Sequence, residues 1–243
     1  MSDYQTDNLY LHEQAADQQK LLLNRYMMKV YNWMAAGLAL SALTAWICLT
    51  SVTVFRYFID TNTGAPTTLF WICMVAELGL VFGLSAGIKR LPVKAAAALF
   101  VVYSSLNGFV LGPILLAYTA SSVTKAFFVS AAVFVAASAY GSLTKRNLSA
   151  MGQFMFMGLI GIIIASLVNF FMASSTLDFI ICYVGVIVFV GLTAYDNQAI
   201  RAMLSQAANE TTVSKMAIFG ALKLYLDFIN LFLILLRILG DRR

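Results

Sequence analysis

The sequence predicts an all-α membrane protein with seven transmembrane helices. Composition is the first observation: of 243 residues, 61% are hydrophobic and 11% charged, where ordinary soluble domains run at about 45–50% and about 25%. The second is a mean hydropathy of +0.83. The third is distribution. The apolar residues fall into seven blocks, each near the ~20 residues that a helix needs to cross a bilayer. No period-2 alternation runs through these blocks, which argues against a β-barrel. With no water in the hydrocarbon, backbone groups must pair internally, as a helix allows.

In chain order the spans are residues 32–55, 68–88, 95–118, 126–144, 148–172, 177–195 and 216–239. The breaks carry turn or charge signals: 60–66, 89–94 with Pro92, 120–125, Lys145-Arg146-Asn147, 173–176, and a longer one at 197–215. No polar block is long enough for a soluble domain. We therefore read one seven-helix membrane domain, 31–243, after a polar, mobile tail and interfacial segment at 1–30. The stretch from Lys20 to Trp33 mixes basic and apolar residues. It either lies along the membrane interface or extends the first span. The first apolar run begins too late for a cleaved signal peptide.

Gly83 and Gly87 in the second span, and Gly108 and Gly112 in the third, have the spacing that lets helix backbones approach closely. Gly112-Pro113 should kink or weaken the third span, because proline removes a backbone donor.

Basic residues set the orientation. Lys20, Arg25, Lys29, Lys89, Arg90, Lys94, Lys145, Arg146, Arg201 and Lys215 lie on one side, and the opposite loops hold Arg56 and Lys125. The N-terminus is expected to be cytoplasmic. Seven full crossings put the C-terminus in the periplasm, against the basic residues Arg237, Arg242 and Arg243. The alternative is a last segment that does not cross fully.

The net charge of +5 sits in short loops, so lipid headgroups explain it and nucleic acid does not. Cys48, Cys73 and Cys182 lie in apolar stretches and read as small buried hydrophobes. The single histidine, His12, is in the polar tail. Cys/His metal sites, a Ser-His-Asp triad and zinc-protease motifs are therefore excluded. We expect no enzyme activity and no cofactor.

Ionisable residues at membrane depth are few: Glu77, Asp196, Lys223 and Asp227. Asp178 reads as interfacial, and Arg237 lies near the end of the last span. A carboxylate in the bilayer centre costs about 2.5–3.5 kcal/mol by insertion scales, so one that persists there is usually functional. Asp227 is eleven residues past Met216, about 16 Å into the membrane at ~1.5 Å per residue. Lys223 is one turn earlier on the same helix face. It either neutralises Asp227 locally, or Asp227 faces a polar interior and meets Asp196. Two close carboxylates cannot both ionise cheaply and tend to share a proton. Such a pair senses pH and, when deprotonated, offers hard oxygen ligands to Ca²⁺. Asn197, Gln198 and Asn230 could add amide oxygens. Spacing alone does not show that Asp196 and Asp227 touch.

The last two spans resemble the Bax inhibitor-1 family, also called the transmembrane Bax inhibitor motif family. The matching residues are Gly191-Leu-Thr-Ala-Tyr-Asp196-Asn-Gln and Leu224-Tyr-Leu-Asp227-Phe-Ile-Asn-Leu-Phe-Leu-Ile-Leu-Leu-Arg-Ile-Leu-Gly. Gly112-Pro113-Ile, the basic Lys145-Arg146 step, seven spans and the length fit as well. The likeness is to bacterial inner-membrane members and covers nearly all of the chain beyond the polar tail.

The resemblance implies six helices around a central C-terminal one. It implies a pH-sensitive aspartate dyad, Asp196 and Asp227, beside a calcium-leak path. It places a closed-state latch on Arg90, counted back from Gly112-Pro113, with Lys89 as the alternative, and a pore-linked acid on Glu77. Lys223 departs from the pattern, which has a small polar residue there. Pointed at the dyad, it should move gating to lower pH; turned to the interface, its effect fades.

The function expected from this is a pH-sensitive calcium-leak channel of the bacterial inner membrane, with Ca²⁺ and H⁺ as its ions. The alternative is a regulator that binds and restrains a membrane-bound AAA protease through the N-terminal tail. A proton-coupled transporter fits the acidic pair, but no repeated halves accompany it. For an intramembrane aspartyl protease, Tyr195-Asp196 supplies half of the motif, and Leu226-Asp227-Phe228 lacks the required glycines.

Overall fold

The computed structural model describes residues 2–88 and 90–242, with side chains from residue 17 onward. The chain forms eight helices: α1 (Ser2–Thr50), α2 (Val52–Phe58), α3 (Thr68–Gly87), α4 (Val93–Leu116), α5 (Ala120–Leu143), α6 (Ser149–Met172), α7 (Ser175–Ser205) and α8 (Glu210–Leu239). All but α2 are long and apolar enough to cross a membrane. Among the described residues the only extended pairings are two isolated bridges, Ile59–Pro66 and Tyr118–Arg242.

Helix starts follow local capping chemistry. Thr67, Thr119, Ser174 and Asn209 accept from the backbone N–H three residues on and cap α3, α5, α7 and α8. Helices α4 and α6 start after Pro92 and Leu148, neither of which gives a side-chain cap.

The central element is α8. It packs against α7, α1, α5, α4 and α3, while α6 packs on α7 and completes the surround from there. In its most apolar stretch 67% of α8 is buried, against 0% for α6. Helices in lipid gain nothing from hiding leucine, so close packing and polar contacts decide which faces meet. Gly108 shows this: a Cβ there would collide with Thr44 and the Ser41 backbone of α1. Its partner Gly112 lies against Cys48 of the same helix. By contrast, Gly83 has nothing within 4 Å, so the similar spacing in α3 makes no tight helix contact there.

The structure decides one open alternative and refines two boundaries. The stretch from Lys20 to Trp33 is a direct continuation of the first span within α1. The long break at 197–215 shrinks to four residues, because α7 runs on to Ser205 and α8 begins at Glu210. The reason is amphipathic: Ile200 and Leu204 of α7 and Val213 of α8, all outside the apolar blocks, are buried in one core. Finally, α4 continues past Pro113 and ends three residues later.

The last helix runs to the α4–α5 end of the bundle. The Asp241 backbone N–H donates to Ser122 Oγ (3.0 Å), and Thr119 N–H donates to the Asp241 carbonyl (3.2 Å). Arg242 stacks on Tyr118 at 6.0 Å. The C-terminus is thus tied to the α4–α5 turn, the opposite end from the α5–α6 and α7–α8 turns.

Candidate functional site

Asp196 on α7 and Asp227 on α8 are both buried, at 7% and 5% exposure. They lie in adjacent packed helices, and Lys223, one turn from Asp227, bonds to Asp196. The continuation of α7 places Asp196 inside a helix rather than at its end.

Lys223 settles its own direction. Its Nζ lies 2.7 Å from Asp196 Oδ1. It reaches across to α7 instead of along α8 to Asp227, and its ammonium also sits 6.0 Å over the Tyr195 ring. Asp227 has no such partner: its Oδ2 is buried without a hydrogen bond. One carboxylate is therefore neutralised and the other is orphaned, an arrangement that costs free energy unless a proton, a water or a cation joins it.

Arg90 is exposed in the turn after α3 and forms no ion pair among the described residues. The cation beside the aspartates is Lys223. Lys89 lies outside the described residues.

The amides near the dyad are already engaged. Asn197, fully buried, donates from Nδ2 to Tyr31 Oη (2.5 Å) and accepts at Oδ1 from Ser142 (2.6 Å). It ties α7 to α1 and α5. Gln198 accepts from Leu148 N–H (2.9 Å) and donates to the Arg146 carbonyl (2.9 Å), clamping the α5–α6 turn. Asn230 Nδ2 folds back onto the Leu226 carbonyl (2.8 Å).

Glu77 belongs to a second polar cluster. Asn107 Nδ2 of α4 donates to Glu77 Oε2 (3.2 Å), and Tyr225 Oη of α8 donates to Asn107 Oδ1 (2.7 Å). Ser41 Oγ of α1 lies 2.6 Å from Tyr225 Oη and donates to the Ser104 carbonyl (2.7 Å). The chain of contacts crosses four helices. Glu77 Oε1 is buried at its end without a partner.

Comparison with known proteins bears on what this arrangement belongs to. The family model described as "Inhibitor of apoptosis-promoting Bax1" matches residues 23–243. The chain belongs to the Bax inhibitor-1 family.

Among its relatives, the Escherichia coli (strain K12) inner membrane protein YbhL is 48% identical over 224 residues, covering 91% of this chain and 93% of that one. The Rickettsia prowazekii protein RP147 is 43% identical over 221 residues, 91% of each chain. The Lactococcus lactis protein YrjE is 41% identical over 238 residues, 96% of each.

In this Bax inhibitor-1 family member, sequence reasoning missed the Asn107–Tyr225–Ser41 cluster. The available signals were an asparagine inside an apolar span and a tyrosine two residues before Asp227. It also left Asp178 as merely interfacial, whereas Arg237 and Asp178 form an ion pair linking α8 to α7.

The donor set at the dyad is too small to hold a resident Ca²⁺ by itself. Among the described residues no three His, Cys, Asp or Glu side chains cluster. A resident Ca²⁺ takes about 6–8 oxygens, and here an ammonium already occupies the Asp196 carboxylate.

Proposed function

We propose that this protein is a pH-sensitive calcium-leak channel of the inner membrane, gated at Asp196 and Asp227 with Lys223 as the cation that holds the closed state. One observation carries the reading: the Lys223–Asp196 ion pair beside an orphaned Asp227 oxygen. Protonation of Asp196 removes the charge that holds Lys223, and α7 and α8 can then part. Ca²⁺ passing the site meets the freed carboxylate oxygens. Family membership supports the reading, and the printed name of YbhL supports the inner membrane as location. The closed-state latch expected on Arg90 has no ion pair behind it among the described residues, and Lys223 takes that role in this reading. Glu77 of α3, with an unpartnered oxygen and linked through Asn107 to Tyr225 of the central helix, is the candidate second acid along the path. Asn197 ties α7 to α1 and α5 beside the dyad, and Asn230 bonds within α8.

The test is Ca²⁺ flux against pH in liposomes for wild type, Asp196→Asn and Asp227→Asn. The reading expects pH-dependent flux that both variants flatten. Identical flux from all three proteins overturns it.

A protease-regulating reading draws on one observation. Helix α1 has 49 residues, about 74 Å at ~1.5 Å per residue, far more than the ~30 Å hydrocarbon core requires. Its amino-terminal end is long enough to meet a membrane-bound AAA protease beyond the bilayer. Deleting residues 1–20 separates the two: a regulator loses protease modulation, and a channel keeps its flux.

A further inference from the structure

A cleft of about 500 Å³ opens where the α5–α6 turn meets the carboxyl-terminal half of α7, lined by Lys145, Arg146, Asn147, Ser149, Tyr195 and Gln198, among others. Its charge is one-sided. Lys145 and Arg146 are exposed and form no ion pair among the described residues, and no carboxylate lines the cleft. The nearest acid in sequence, Asp196, is engaged with Lys223.

The cleft is also preformed. Gln198 pins both sides of the turn, and Asn147 Oδ1 accepts from Ser149 N–H at 2.9 Å. The uncapped first turn of α6 adds to the positive potential.

Its position points to the bilayer. The cleft lies at the level where α5 ends and α6 begins. From there α6 descends with its apolar side chains outward: Phe154, Phe156 and Met157 are 57–71% exposed. A headgroup in the cleft would have its acyl chains alongside this face. Basic pockets between membrane helices at the interface bind anionic lipid headgroups through such contacts.

We propose that this cleft binds the phosphate headgroup of an anionic phospholipid, with Lys145 and Arg146 holding the phosphate. The site touches the dyad through Tyr195. Its ring lines the cleft and faces Gly152 so closely that a Cβ there would strike it, while its face carries Lys223 Nζ at 6.0 Å. Lipid binding does not depend on the leak reading, and the test needs no flux.

The experiment is native mass spectrometry of the full chain, released from bilayers holding phosphatidylglycerol and phosphatidylcholine in equal amounts. Wild type should retain phosphatidylglycerol in excess. At about 1 kcal/mol per basic residue near the surface, each charge removed should weaken that preference about fivefold, and both together about thirtyfold. The variants are Lys145→Gln, Arg146→Gln and the pair, with Lys94→Gln as a control at another exposed lysine. Unchanged preference in the pair overturns the proposal. So does an equal loss with Lys94→Gln, which would mean diffuse attraction. Competition by millimolar inorganic phosphate as effective as that by lipid would assign the cleft to a soluble phosphate compound instead.

Discussion

Lys223 of α8 bonds to Asp196 of α7 at 2.7 Å and leaves Asp227, one turn away on its own helix, without an ion pair among the described residues. A lysine four residues before an aspartate is placed to pair within the helix. Here the cross-helix partner wins, and the two aspartates become chemically unequal.

The ammonium favours the ionised form of the carboxylate beside it. Lys223→Met should therefore move the pH dependence of Ca²⁺ flux toward higher pH, because protonation no longer has to displace an ion pair. A profile unchanged in midpoint would remove Lys223 from gating. The same variant strands a buried charge and should lower stability by about 1–3 kcal/mol, discounted because the lysine is a third exposed. In the double variant Lys223→Met/Asp196→Asn most of that loss should return, as thermal unfolding in detergent can measure.

Asp227→Asn should behave differently. The oxygen in question makes no hydrogen bond, so stability should change little or rise, while pH-dependent flux flattens. A drop in unfolding temperature as large as that of Lys223→Met would show that Asp227 has a partner that matters for folding.

Tyr225→Phe keeps the ring contacts with Phe100 and Tyr103 but removes the hydroxyl between Asn107 and Ser41. It leaves buried Asn107 Oδ1 short of a donor, at a cost of about 1–3 kcal/mol. Adding Asn107→Leu should not recover the loss, because it also removes the Nδ2 donor to Glu77 Oε2 and leaves that buried carboxylate without a partner.

Gly108→Ala should disrupt the α1–α4 contact, because the added methyl meets Thr44 and the Ser41 backbone. Gly83→Ala, with open space around it, should be tolerated and should gain up to about 1 kcal/mol of helix propensity. Equal effects at the two sites, read as yield of folded protein, would contradict the packing described.

Much of this protein was legible one residue at a time. Seven crossings follow from apolar length, a property of each segment alone, and the short list of charges at membrane depth follows from the same count. Asp196, Asp227, Glu77 and Lys223 were visible for that reason, as was the central place of α8 through its resemblance to a known family. What the sequence could not specify was pairing, which depends on helix rotation, register and the reach of a side chain into a neighbour. Those decided that Lys223 serves Asp196, that Asn197 is spent on Tyr31 and Ser142, and that Glu77 connects through Asn107 to Tyr225. They also extended α7 and α8 past their apolar blocks, because residues too polar to suggest a span still bury one face against each other. Hydrophobicity is local and sets where helices run; polar contacts span distant parts of the chain, so only the packed bundle determines them.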